Sequence, residues 1–227
     1  CHSALVNGEI QLYPEYTGTA LTAILEEGTR PGEAGILARL APRYRERFDL
    51  EWLSPFGFDN TYTLTMRADR AASLGLQTIS GLVPLAPDLR AGFTAEFSER
   101  PDGYPGLRKT YGLRFGEVLD LDPALMYRAI AKGEVDVICA FATDGRIAAY
   151  DLQPLADDRG FFPPYRAAPV ARVDALDRHP ELRRVLGLLA GRLDEGTMRR
   201  LNRQVDEEGR RPAAVAREFL AGADLLR

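Results

Sequence analysis

Short runs of β-forming residues alternate with segments of helical apolar spacing along nearly the whole of this 227-residue chain. That alternation constrains the fold most, because strands interleaved with helices pack as helix-covered sheets, an α/β architecture expected to be mostly parallel. Val135-Asp136-Val137-Ile138-Cys139-Ala140 reads as a buried strand, and Thr61 to Met66 as a second rich in β-formers. Glu9 to Tyr13 alternates polar and apolar and is expected to stop at Pro14; Leu50 to Leu53 and Ile147 to Leu152 read as further strands. Helices are expected at Ser3 to Gly8, at Thr19 to Glu26 behind a hydroxyl cap, at Gly32 to Phe48, at Ala68 to Leu74 and from Pro123 to Lys132. The last third, Pro180 to Leu226, carries a periodic apolar face and reads as helical. There is no internal repeat and no low-complexity linker, so a division of the chain has to pass through strands that cross between lobes.

Several function classes are excluded or disfavoured. The net charge of -4 argues against nucleic acid or an anionic membrane as partner, since both call for a clustered basic excess. No apolar run approaches the ~20 residues that span a bilayer. No signal peptide is visible, which fits either a cytoplasmic protein or a mature, processed one. Cys1 and Cys139 form no metal or redox spacing. Cys139 reads as a buried strand thiol, whereas Cys1 suits either the lipid-bearing residue of a mature lipoprotein or an accident of where the chain starts. Of the two histidines, His2 and His179, the latter precedes Pro180 at a helix start and suits a surface or capping role. Glycine-rich phosphate loops, H-E-x-x-H and G-x-S-x-G are absent from the sequence. The adjacent acids Asp157 and Asp158 sit in a turn and are expected to point apart. No catalytic residue, metal or cofactor is expected.

Aromatic residues recur at breaks between elements. Tyr13-Pro14-Glu15-Tyr16-Thr17-Gly18-Thr19 is a strand-to-helix junction; Phe58-Asp59-Asn60-Thr61-Tyr62, Ala140-Phe141-Ala142-Thr143-Asp144 and Phe161-Phe162-Pro163-Pro164-Tyr165 are three more. A single aromatic at such a place is more often core than ligand contact. Four of them, read as lying at the carboxyl ends of strands, point to a binding site, because ligands of open α/β sheets bind there.

The segment from Gly8-Glu9-Ile10-Gln11-Leu12-Tyr13-Pro14-Glu15-Tyr16-Thr17-Gly18-Thr19 resembles the signature of the glycine betaine/carnitine/choline-binding proteins of osmoprotectant ABC importers. The resemblance continues through Gly57-Phe58-Asp59-Asn60-Thr61-Tyr62, Arg100-Pro101-Asp102-Gly103-Tyr104-Pro105-Gly106, Thr143-Asp144-Gly145-Arg146, Leu155 to Tyr165 and the tail Met198-Arg199-Arg200-Leu201-Asn202. It is collinear over essentially the whole chain. It implies a two-lobed, type II periplasmic-binding-protein fold with the ligand clamped in the cleft. Lobe 1 would comprise residues 1–60 plus 167–227, and lobe 2 residues 61–166. An aromatic cage would be formed by Tyr16, Tyr62, Phe141 and Tyr165. The chemistry is apt, since a methylated ammonium has no proton to donate and is selected by electron-rich ring faces. Arg100 and the Thr19 hydroxyl would meet a ligand carboxylate.

Two departures from the family pattern stand out. Phe141 occupies a place where many relatives carry tyrosine, so a hydroxyl is lost. The strand, helix and strand with which the family opens, in the first lobe, also have no counterpart ahead of the Tyr13-to-Thr19 motif. The implied partners are a small quaternary-ammonium ligand and a membrane ABC permease, on the periplasmic or extracellular side, with the chain lipid-anchored or permease-fused and monomeric. Another trimethylammonium betaine such as ergothioneine is an alternative ligand. A sensing domain or an enzyme on the same fold is the rival from other classes, for which Asp144 is the one titratable candidate.

Overall fold

The computed structural model describes residues 1–27 and 35–226. Its strands, in chain order, are β1 (Leu12–Tyr16), β2 (Leu50–Trp52), β3 (Tyr62–Arg67), β4 (Arg90–Phe93), β5 (Glu117–Asp120), β6 (Val137–Phe141), β7 (Leu152–Pro154) and β8 (Ala167–Arg172). The chain divides into two compact units, Cys1–Asn60 with Pro163–Met198 and Phe219–Arg227, and Thr61–Phe162 with Arg199–Glu218.

The first unit is built on a three-stranded sheet of order β1-β8-β2, antiparallel throughout. β1 runs straight through Pro14, which the sequence reading had taken as its end. Pro14 stands opposite Pro169, on a strand that has a ladder neighbour on one side only. Proline without an N–H is tolerated at such an edge. On the other side of β8, the Leu53 N–H donates to the Pro169 carbonyl at 2.9 Å, and the register of β2 ends one pair earlier, at Trp52 and Val170. A return bond from Pro169 is chemically impossible. The helix Ile36–Phe48 lays Ile36, Leu40 and Tyr44 onto this sheet, where they are fully buried with Leu21, Leu50 and Val170. Each such aliphatic side chain contributes about 1.5–3 kcal/mol relative to exposure. The expected start of this helix at Gly32 lies outside the described residues.

The second unit has a five-stranded sheet of order β5-β4-β6-β3-β7. Only β5, β4 and β6 run parallel; β3 is antiparallel to both its neighbours. The expected mostly parallel arrangement is therefore corrected to a mixed sheet in this unit and an antiparallel one in the first. β6 explains its own composition. Val137 and Cys139 point into one core with Phe93, Phe97 and Leu107, while Ile138 and Ala140 point into another with Ile130, Val135 and Ile147. With both faces covered, a central strand needs no polar side chains.

Three expectations differ from the structure here. The segment expected as a strand at Ile147 to Leu152 is a helical turn, Gly145–Ala149, followed by β7. Asp144 caps it by accepting the Arg146 N–H at 2.9 Å, and a cap decides against extended backbone despite the β-branched isoleucine. The helix Glu195–Asp206, placed in lobe 1 by sequence, has its residues from Arg199 onward in the second unit. Asn202 Nδ2 donates to the Thr143 carbonyl at 2.8 Å and Arg199 Nη1 to the Ala142 carbonyl at 3.2 Å. A Cβ on Gly145 would stand 2.4 Å from the Arg203 backbone nitrogen, so the absence of a side chain there permits this docking. Residues 163–166, placed in lobe 2, belong instead to the first unit.

Candidate binding residues in each unit

In the first unit Tyr16 ends β1, and the chain turns directly into a helix, Thr17–Thr19 continuing as a wide turn over Ala20–Ile24. Thr19 lies within this helical segment and is not its cap; the N-cap position is Tyr16. The Thr17 hydroxyl at the start of the segment has a structural task. It is fully buried, donates to the Pro164 carbonyl and accepts the Arg166 N–H, both at 3.0 Å. Thr17 thereby fixes the segment carrying Tyr165. Asp59 grips the same segment by accepting the Tyr165 N–H at 2.7 Å, while the Asn60 N–H donates to the Tyr165 carbonyl at 3.0 Å. The Tyr165 ring lies over Gly18, whose Cβ, if present, would be 2.6 Å from the ring. The sequence reading missed Thr17 and Asp59 as positioning residues, although both sit inside motifs it singled out.

Tyr16 packs edge-on to Phe58, with centroids 6.5 Å apart. Burial and the neighbouring Glu15 carboxylate push its phenol above the ordinary range, so it stays neutral at physiological pH. Glu15 is itself buried and accepts from the Tyr13 hydroxyl and from the Tyr16 N–H.

In the second unit Tyr62 opens β3 and Phe141 closes β6, and the antiparallel register sets them opposite each other. Their rings stack at 4.9 Å with an angle of 23°. Nothing as thick as a methylated ammonium fits between rings in direct contact, so the pair forms one aromatic wall, not two facing ones. Phe97 and Phe162 hold Tyr62 from behind, at 5.2 and 6.2 Å. Phe141 is 48% exposed, an unusual condition for a phenylalanine at the end of a buried strand. The expectation that the four aromatics share carboxyl strand ends needs correction. Tyr16 and Phe141 are at carboxyl ends, Tyr62 is at an amino end, and Tyr165 precedes β8. Antiparallel pairing of β1 with β8 and of β3 with β6 accounts for their common side within each sheet.

Tyr62 and Phe141 line a cavity of about 130 Å³ together with Thr94, Glu96, Phe97, Pro123, Met126, Tyr127, Cys139, Ala140, Asp144 and Arg146. Asp144 is fully engaged. It accepts the Tyr127 hydroxyl at 2.7 Å and pairs two-pronged with Arg146 at 3.0 and 2.7 Å, while Arg146 also stacks over the Tyr127 ring at 4.1 Å. Burial works to raise the Asp144 carboxyl, but the Arg146 and Tyr127 hydrogen bonds outweigh it and hold the group below the usual carboxylate range. Such an anion is not poised for proton transfer. Burial, followed by the Glu96 carboxylate, pushes Tyr62 up to about 12. Burial alone raises the Cys139 thiol, consistent with an inert strand cysteine.

Arg100 is held by two carboxylates. Its Nε and Nη2 donate to the Asp102 oxygens, both at 2.7 Å, and its Nη1 to Glu96 Oε1 at 2.9 Å. Three of its five N–H donors are thus engaged, and a ligand carboxylate would have to share the guanidinium with Asp102 and Glu96. Asp157 accepts from the Tyr111 hydroxyl and the Phe162 N–H, and Asp158 accepts the Ser80 N–H, so the two acids serve separate structural bonds. Among the described residues no group of three or more His, Cys, Asp or Glu is placed to hold a metal ion. No helix among them is long and apolar enough to cross a membrane.

Two α/β units sharing discontinuous chain segments, with aromatic rings at strand ends, define a type II periplasmic-binding-protein fold of the solute-capturing class. Residues 1–222 match the family described as the substrate-binding domain of the ABC-type glycine betaine transport system (OpuAC), and the chain belongs to it. It is 35% identical over 221 residues to the carnitine transport binding protein OpuCC of Listeria monocytogenes, covering 96% of this chain and 72% of that one. It is 33% identical over 219 residues to the ergothioneine transport permease/ergothioneine binding protein EgtU of Helicobacter pylori, covering 96% of this chain and 39% of that protein. A crystal structure described as a glycine betaine/carnitine/choline ABC transporter superposes with a TM-score of 0.95 at 38% identity, over 99% of this chain and 83% of the other. The chain is thus the substrate-binding component of a glycine betaine/carnitine-type ABC transporter, not an enzyme. Components of this kind bind a small ligand on the periplasmic or extracellular side and deliver it to a membrane permease.

Proposed function

We propose that this chain captures a small quaternary-ammonium compound, such as glycine betaine, choline or carnitine, with Tyr16, Tyr62, Phe141 and Tyr165 as aromatic surfaces and Thr19 and Arg100 as polar ones. The observation that carries the proposal is the Tyr62–Phe141 pair, a braced aromatic wall with one strongly exposed face on a cavity. Each desolvated ring face contributes ~0.5–2 kcal/mol toward a cation. Several such faces support micromolar capture, which corresponds to ~8 kcal/mol. A bulkier trimethylammonium betaine such as ergothioneine is the second reading, favoured by the identity with EgtU. The chain is expected to act as a monomer without a cofactor.

Isothermal calorimetry with choline, glycine betaine, carnitine and ergothioneine tests the proposal. Tyr62→Leu and Tyr165→Leu keep apolar bulk while removing the ring, and each is expected to weaken the preferred ligand at least tenfold. Wild-type binding by both variants would overturn the aromatic cage.

A further inference from the structure

We propose that Glu96 makes the cavity of the second unit selective for a quaternary ammonium with net positive charge, such as an alcohol, over a zwitterion that carries its own carboxylate. This rests on the quaternary-ammonium reading above and deepens it. Three observations carry it. First, Glu96 lines the same cavity as Tyr62 and Phe141, on the short helix Ala95–Glu99, which Thr94 fixes by accepting the Phe97 N–H at 3.2 Å. Second, the Glu96 side chain is 66% exposed and uses one oxygen for Arg100. Third, Arg100 is already paired two-pronged with Asp102, so its single positive charge is shared between two carboxylates. The other ion pair on the wall, Asp144 with Arg146, balances itself.

Among the residues that line the cavity, taken with the Arg100–Asp102 pair, one negative charge is therefore left uncompensated. A cation without an acid group gains from both the ring faces and this carboxylate. A betaine brings a third carboxylate toward a guanidinium whose one positive charge two carboxylates already share, and the like charges repel.

The test is titration calorimetry with choline and with glycine betaine on the full chain, the Glu96→Gln variant and a Glu99→Gln control. Glu99 is exposed on the same helix, and its replacement makes the same change in net charge. Wild type and the control are expected to bind choline at least tenfold more tightly than glycine betaine. Glu96→Gln, which keeps the shape and can still accept from Arg100, is expected to shrink that ratio at least fivefold through loss of choline affinity. Tighter binding of glycine betaine by wild type, or an unchanged ratio in Glu96→Gln, overturns the selectivity and leaves the quaternary-ammonium reading standing. An equal fall in the ratio in Glu99→Gln also overturns it, because the effect would then be one of overall charge. Failure of both compounds to bind wild type overturns the selectivity, and failure of carnitine and ergothioneine as well overturns the broader reading.

Discussion

Glycine 18 and tyrosine 165 show how single residues set up a binding surface. Gly18 offers the Tyr165 ring a flat backbone, and an added methyl would intrude to 2.6 Å. The ring can swing aside, so the expected cost of Gly18→Ala is an overpacking penalty of about 1–3 kcal/mol in folding, together with misplacement of the aromatic surface. At about 2–4 °C per kcal/mol for a chain of this size, the melting midpoint is expected to fall by less than ~12 °C, while affinity for the preferred quaternary ammonium falls at least tenfold. Melting curves and calorimetry on the same preparation check both numbers; undiminished affinity would remove Tyr165 from the site. At this scale the residue types were legible, since aromatics beside Gly, Pro and Thr announce rings on rigid turns. What Thr17 and Asp59 do was not, because a hydroxyl's partner 147 residues away leaves no local trace.

At the scale of elements, runs with a single environment were readable and those decided by a distant partner were not. β6 announced itself because both its faces are buried. β1 did not show its extent, since tolerance of Pro14 depends on its being at a sheet edge. The helical turn Gly145–Ala149 was mistaken for strand because its apolar residues suit either state, and Asp144 decides the matter. That role has a testable pH signature. The Asp144 carboxyl is held below its ordinary range in the folded protein, so its contribution is complete above the unfolded value of about 4 and is lost as pH falls through the lower folded value. Asp144→Asn retains an oxygen for the cap but loses the charged bonds to Arg146. It is expected to lower unfolding free energy by about 1–3 kcal/mol at neutral pH. Urea titrations from pH 7 downward should show a constant gap from wild type to about pH 5 and a shrinking gap below pH 4. A gap independent of pH would mean that the carboxylate charge contributes nothing.

At the scale of the whole molecule, the proposed ligand contacts are divided between the units: Tyr16, Thr19 and Tyr165 belong to one, and Tyr62, Arg100 and Phe141 to the other. The Tyr62–Phe141 stack presents a single wall. If one ligand engages both sets, its binding energy must appear as protection in both units, because a ligand stabilises what it touches relative to the opened state. A ligand at one hundred times its dissociation constant adds about 2.7 kcal/mol, which for this chain length is a rise of about 5–10 °C in melting midpoint. Hydrogen exchange at that saturation is then expected to slow at the β1 end, Tyr16 to Thr19, and also at the paired β3 and β6 ends around Tyr62 and Phe141. The magnitudes should be similar, since one binding event contributes the same free energy to any opening that releases the ligand. Slowing confined to the second unit would instead mean that its cavity and Glu96 hold the ligand unaided, and Tyr16, Thr19 and Tyr165 would have to be withdrawn as contacts.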